Sequence, residues 1–299
     1  MGNFKGTYKK KSYFEGWYFK NQNDNEIISF IPASHIDENG KKSASLQIIM
    51  NNTSDYITYP IDDFAVSTNK FAIKIGENIF TEKGILLNIE TEQTTVTGKL
   101  YYSRFVPLKY DIMGPFKYVP FMQCRHSVYS LAHNITGSLM VNGRRICFDK
   151  GLGYVEGDRG IEFPADYMWT QCCWHDKGNN SVMMSVADIP IGKVTFKRYI
   201  GIVYYRGKEY RFATYLGVKI KKYSKNELWV QQRDYDLQVT IIDENPHNLL
   251  APIKGKMART VYESINCRVR YRFMVDNNVL FDFIARGSFE RGYFNCSTS

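Results

Sequence analysis

The sequence predicts an all-β protein built from two antiparallel barrels or strongly curled sandwiches, with little helix. Three observations carry this. Almost every segment alternates apolar and polar residues with period two, as in Phe71-Ala72-Ile73-Lys74-Ile75, Thr94-Thr95-Val96-Thr97-Gly98-Lys99-Leu100 and Cys267-Arg268-Val269-Arg270-Tyr271-Arg272-Phe273. That is the period of half-buried strands. Turn signals recur at short spacing, at Glu38-Asn39-Gly40, Val141-Asn142-Gly143, Tyr205-Arg206-Gly207 and Asp276-Asn277-Asn278; Asn and Gly accept the positive φ that tight hairpins need. Aromatic residues make up 15% of the chain, with 22 Tyr and 19 Phe, and flat side chains pack well on a pleated face.

One local pattern occurs twice. Near the start, the aromatic run Phe14-Glu15-Gly16-Trp17-Tyr18-Phe19-Lys20 leads through a polar turn at Asn21–Asn25 to Ile27-Ile28-Ser29-Phe30-Ile31-Pro32. In mid-chain, Tyr167-Met168-Trp169-Thr170-Gln171-Cys172-Cys173-Trp174 leads through Asp176–Asn180 to Val182-Met183-Met184-Ser185-Val186. Gly153-Tyr154-Val155-Glu156 closes the first stretch and Gly287-Ser288-Phe289-Glu290 the second. Repetition on this scale predicts two copies of one architecture. The boundary is expected near Phe163-Pro164, giving β domains over 1–163 and 164–299, with Trp17 and Trp169 on equivalent first strands. Pro115 and Pro120 mark a loop or covering segment within the first half.

The 299 residues suffice for two domains with their own cores, and 44% hydrophobic with 23% charged residues describes a globular chain. The net charge of +9 reads either as a basic soluble surface or as attraction to an anionic membrane or ligand. Lys and Arg are too scattered for a nucleic-acid footprint. The N-terminus lacks an apolar signal stretch, no segment reads as a transmembrane helix, and six Cys without CxxC spacing read as reduced, buried thiols. The expectation is a cytoplasmic protein.

No phosphate-binding loop, zinc-protease, hydrolase or dinucleotide motif is present, and the five His show no metal-ligand spacing. The dense stretch is Gly151–Trp174, which interleaves Glu156, Asp158, Arg159, Glu162 and Asp166 with Trp169, Gln171 and Trp174. In a water-poor pocket a carboxyl group keeps its proton and can donate it, and aromatic faces can stabilise a cation that develops on a substrate. The alternative is that Glu156, Asp158 and Arg159 form an ion pair capping the domain. His126, beside Cys124 and Arg125, is either functional or structural.

The motifs Phe14–Lys20, then Gln123-Cys124-Arg125-His126-Ser127-Val128, then Gly151-x-Gly153-Tyr154-x-Glu156-x-Asp158-x-Gly160-x-x-Phe163-Pro164-x-x-Tyr167-x-Trp169-x-Gln171-Cys172 resemble the tocopherol cyclase family. The resemblance spans Phe14 to Trp174. It implies two lipocalin-like β domains, related to carotenoid hydratases and lipocalin-like pericyclases, and cofactor-free, metal-free protonation of a prenyl double bond, the ring hydroxyl then closing onto the cation to give a chromanol. One position departs: where the family usually has Trp before the Gly of this motif, this chain has Arg159. A guanidinium there removes an aromatic face and could hold Glu156 or Asp158 ionised.

The expected function is thus a tocopherol cyclase-like protein that takes a long apolar ligand between its two β domains, and cyclises or hydrates an isoprenoid double bond in a prenylated quinol or similar substrate. The expected proton donor is Glu156 or Asp158. Trp17, Tyr18, Tyr154, Trp169, Gln171 and Trp174 are expected to bind substrate, with Arg125 or His126 holding a polar head group. The rival is a non-catalytic lipid, quinone or isoprenoid carrier of the same fold.

Overall fold

Twenty-two strands in two antiparallel sheets are formed by the residues that the computed structural model describes, 4–119, 122–191 and 194–292. The first sheet holds β1 (Tyr13–Gln22), β2 (Ile27–Ile36), β3 (Lys42–Ile49), β4 (Ser54–Tyr59), β5 (Phe64–Val66), β6 (Ala72–Ile75), β7 (Asn78–Thr81), β8 (Gly84–Glu90), β9 (Thr95–Tyr102), β10 (Cys124–Val141), β11 (Arg144–Cys147) and β12 (Gly151–Gly160). Its strands run in the order β4-β3-β2-β1-β12-β10-β9-β8-β7-β6-β5, with β11 on β10. The second sheet holds β13 (Tyr167–His175), β14 (Asn179–Ile191), β15 (Val194–Tyr205), β16 (Lys208–Ala213), β17 (Lys219–Tyr223), β18 (Glu227–Gln232), β19 (Tyr235–Ile241), β20 (His247–Ile253), β21 (Lys256–Val275) and β22 (Asn278–Arg291). Its order is β16-β15-β14-β13-β22-β21-β19-β18-β17, with β20 on β21. Among the described residues neither ladder returns to its first strand, so these are open, curled sheets rather than hydrogen-bonded closed barrels. The helical segments are short 3-10 turns, and no described helix is long and apolar enough to cross a membrane.

The repeat seen in the sequence is a repeat of topology. In each sheet four sequential strands form a meander, and the last strand of the unit returns to pair with the first: β12 with β1, and β22 with β13. Gly153–Glu156 and Gly287–Glu290 are the matching parts of these closing strands. Register shows what the sequence match obscures. Glu156 lies opposite Tyr18, and Glu290 lies opposite Trp169. Trp169 therefore takes the place of Tyr18, and Met168 that of Trp17. A one-residue offset reverses the face of a strand: Trp17 joins the apolar core of its sheet and Trp169 points away from the core that holds Met168.

The chain divides into two compact units. One comprises Met1–Asp111, Pro120–Phe163 and Leu249–Thr260; the other comprises Ile112–Val119, Pro164–Asn248 and Val261–Ser299. In the first unit the hairpin at Leu249–Thr260 is fastened to β3, because the Gln47 side chain donates to the Leu250 carbonyl at 3.1 Å and accepts from its N–H at 2.8 Å.

Each sheet buries one apolar face. In the first, Trp17, Phe19, Phe30, Leu46, Phe80 and Val155 belong to one cluster. In the second, Met168, Val182, Phe212, Tyr271 and Phe273 do so. Beside the first core, β10 bulges between Val128 and His133. The bulge places His133 against Gly153, where a Cβ would stand only 2.2 Å from the ring Nε2; glycine alone leaves room. The ring packs 4.5 Å from Tyr102 and 4.9 Å from Phe105, and its Nδ1 lies 2.9 Å from Ser130 Oγ.

Two outcomes follow for stability. Trp17→Ala removes a core ring that is 4% exposed and should cost about 3–5 kcal/mol in chemical denaturation; a curve overlaying wild type would contradict the core assignment. Burial drives His133 down to about 3 and His35 down to about 4. The unfolded chain protonates both near 6.5. Stability is then complete above pH ~6.5 and should fall by about 1.4 kcal/mol per pH unit for each group as pH drops toward its folded value. Denaturation between pH 7 and 4 should show a gentler acid limb for His133→Gln.

Candidate functional site

Alternation on the closing strand of the first sheet decides which side chains meet. β12 is paired on one side with β1 and on the other with β10, and partners in an antiparallel register share a face. One face carries the rows Lys20–Tyr154, then Tyr18–Glu156–Val128, then Gly16–Asp158–His126, then Phe14–Gly160–Cys124. The opposite face carries Glu15–Arg159–Arg125 and Trp17–Gly157–Ser127. Three neighbouring strands thus hold two different chemistries back to back.

On the first face His126 sits between two carboxylates. Its Nδ1 is hydrogen-bonded to Asp158 Oδ1 at 3.0 Å, and its Nε2 lies 3.3 Å from Glu156 Oε2. The second contact is an ion contact without hydrogen-bond alignment, so Nε2 has no directed partner among the described residues. Tyr154 donates its hydroxyl to the same Glu156 oxygen, and the Cys124 thiol lies 3.5 Å from Asp158. Burial by itself would lower the imidazole pKa, but the carboxylates of Asp158 and Glu156 outweigh it and hold His126 well above its ordinary value. The ring is therefore a buried imidazolium at neutral pH. Asp158 orients it through Nδ1, and Nε2 faces Glu156. Burial, with the same carboxylate beside it, pushes the Cys124 thiol far up, so Cys124 is a neutral thiol here.

These three residues also form the described group whose donor atoms come close enough for a metal, all within 4.8 Å of one another. The two carboxylates flank opposite ring nitrogens, so an ion ~2 Å from one nitrogen would need the carboxylate at the other nitrogen to swing towards it. The arrangement suits a proton better than a cation.

The structure brings Glu156, Asp158, His126, Tyr154 and Tyr18 to one face. Trp17 and Arg125 lie on the other face of the same strands. Arg159 lies there too, beside Glu15, whose carboxyl it helps to lower against the upward push of burial. It is thus not positioned between Glu156 and Asp158, where the sequence argument placed its effect. Trp169, Gln171 and Trp174 belong to the second unit. Gln171 is buried and donates to Cys173 Sγ at 3.0 Å. Trp174 points the other way, into the core, with ring centroids 4.8 Å from Phe283 and 5.1 Å from Phe281.

Sequence reasoning passed over Lys20, which is 1% exposed and shares the acid face. A lysine inside an aromatic run was the available signal. It also passed over the thiol of Cys124, which only the pairing of β10 with β12 brings to Asp158.

The imidazolium should show in stability. A folded pKa raised above the unfolded value contributes stability that is complete below pH ~6.5 and is lost as pH rises through the folded value. The stability difference between wild type and His126→Gln, measured by urea denaturation from pH 6 to 9, should be largest at pH 6 and shrink upward. A difference independent of pH would mean that the ring is neutral throughout.

No model of a known protein family matches this chain, and no curated protein matches its sequence. Solved structures do match. A protein of Nitrosomonas europaea assigned as AttH is 13% identical, covers 93% of this chain and 92% of its own, and superposes with a TM-score of 0.56. Kievitone hydratase from Nectria haematococca is 11% identical, with coverages of 94% and 88% and a TM-score of 0.53. CghA, in its structure with Sch210972, is 8% identical, with coverages of 94% and 88% and a TM-score of 0.59. At such identity the likeness concerns the fold, and the fold of this chain is lipocalin-like.

Proposed function

We propose that this protein is a cofactor-free acid catalyst that protonates a carbon–carbon double bond in an apolar, isoprenoid-bearing substrate such as a prenylated quinol. The observation that carries the proposal is the His126 ring held between Asp158 at Nδ1 and Glu156 at Nε2, on a face shared with Tyr18 and Tyr154; the two carboxyl groups favour its charged form. The motif resemblance to tocopherol cyclases and the shared fold with a hydratase support the same chemical class.

In this reading the Nε2–H proton passes to the less substituted alkene carbon and the π pair forms the new C–H bond. The tertiary carbon is left cationic, and the faces of Tyr18 and Tyr154 stabilise it. Either water or the substrate's own hydroxyl supplies the electron pair that forms the C–O bond. The proton lost from that oxygen returns to His126 through Glu156. Attack by water is hydration; attack by the ring hydroxyl gives a chromanol, an isomer of the substrate. This reading moves the donor from the carboxyl groups to the imidazolium. Asp158 becomes the positioning residue, and Glu156 the base that accepts the returning proton.

The second reading is a carrier of the same fold for a lipid, quinone or isoprenoid. The observation in its favour is that both carboxyl groups are engaged by His126 or Tyr154, as in a purely structural network.

Incubation of the protein with a prenylated hydroquinone, followed by chromatography and mass spectrometry, separates the two. Catalysis yields a chromanol of unchanged mass or a product heavier by one water. His126→Gln should lower turnover by about 10²–10⁴-fold while leaving substrate affinity within a few-fold, and the wild-type rate should fall as pH rises through the raised His126 value. Tight binding without conversion, unchanged in His126→Gln, would establish the carrier instead.

A further inference from the structure

We propose that Arg125 and Arg159 form a recognition site for the anionic head group of an apolar ligand, on the face of the first sheet opposite the acid cluster. The two residues lie directly opposite each other on β10 and β12. Like charges in that relation repel, and both side chains are half-buried, where water screens the repulsion less than at the surface. The Arg159 guanidinium makes no hydrogen bond and no ion pair within 4 Å with a described residue, although its charge reaches Glu15. The carboxylate next in its row, Glu15, is occupied otherwise: it accepts from Tyr13 OH at 2.8 Å and from the Lys5 N–H at 2.9 Å. Two guanidiniums side by side, one of them with only the longer-range charge of Glu15 to offset it, present the forked donors that fit a carboxylate or phosphate.

The neighbouring row supplies the apolar half. Gly157 lacks the Cβ that would stand 3.1 Å from the Tyr129 ring and 3.2 Å from the Trp17 ring, so both rings lie against the strand. Phe64 stacks on Trp17 at 6.4 Å, and Tyr129 and Phe64 are half-buried at the rim of this core. An anion held by the arginines would place its tail against the half-buried Tyr129 and Phe64 at this rim, above the buried Trp17. The ligand class is an amphipathic anion, a carboxylate or phosphate on an apolar body. Because it uses the other face of β12, the site stands independently of the proposed catalysis.

The test is fluorescence titration of the full chain with cis-parinaric acid and with its methyl ester, which share a tail and differ in charge, at low and high salt. Wild type should bind the acid at least about tenfold more tightly than the ester at low salt, and the preference should shrink at high salt. Arg159→Gln should abolish the preference while leaving the ester affinity and the melting temperature unchanged; Arg159→Lys should keep part of it. Arg125→Gln is a second variant with the same expected loss. Equal affinity of wild type for acid and ester, no binding of either, or a preference that survives in both Gln variants would overturn the proposal. Displacement of the acid by inorganic phosphate at equal concentration would overturn it too, since the anion would then bind without a tail. Failure of the conversion assay with the acid preference intact would sink the catalytic reading and leave this site standing.

Discussion

The rest of the first unit depends on β12 being hydrogen-bonded on both edges, to β1 and to β10. A strand held on both sides cannot rotate or slip. The alternation of its residues then fixes that Tyr154, Glu156 and Asp158 share one face and that Val155, Gly157 and Arg159 share the other. Slippage by one residue would exchange the two sets and place three polar side chains in an aromatic core. The glycines at 153 and 157 serve the same end, since each allows a ring from β1 or β10 to lie against the strand.

On that frame the energetics of the acid face are those of a mutually dependent triad. An imidazolium out of water is unfavourable alone, and so is each carboxylate. Together, with Tyr154 donating to Glu156, the two carboxyl groups favour the charged form of the ring between them. Removing one partner leaves the others uncompensated, so such networks respond to substitution as a unit. The ring is held a little more closely and with better alignment at Nδ1, 3.0 Å from Asp158, than at Nε2, 3.3 Å from Glu156. In the proposed reading, that asymmetry is what suits the cluster to proton transfer.

The duplicated architecture carries the same device in altered form. Glu290 takes the place of Glu156 on the closing strand of the second sheet, and Tyr167 donates its hydroxyl to it. His126 is not repeated: β21, the strand beside β22 in the place of β10, carries no histidine, and it sets Glu263 opposite Glu290 where β10 sets Val128 opposite Glu156. The two copies share a scaffold, and only the first holds the imidazolium.

The sequence by itself determined the all-β class, the duplication, and the stretch in which the acidic residues cluster. Period-two alternation, Asn-Gly turns and the two aromatic runs are local signals, and strand formation follows from them residue by residue. It could not decide which side chains meet. Glu156 and Asp158 are close to Arg159 in sequence, yet alternation sends Arg159 to the opposite face, beside Glu15. His126 is some thirty residues away, and only the pairing of β10 with β12 brings it between the two carboxylates. The match of Trp17 to Trp169 was right about the strand and off by one in register, because a sequence repeat aligns residue types whereas a sheet aligns hydrogen-bonded partners. Cross-strand register is set by long-range pairing, and that is the part of the site that only the tertiary structure decided.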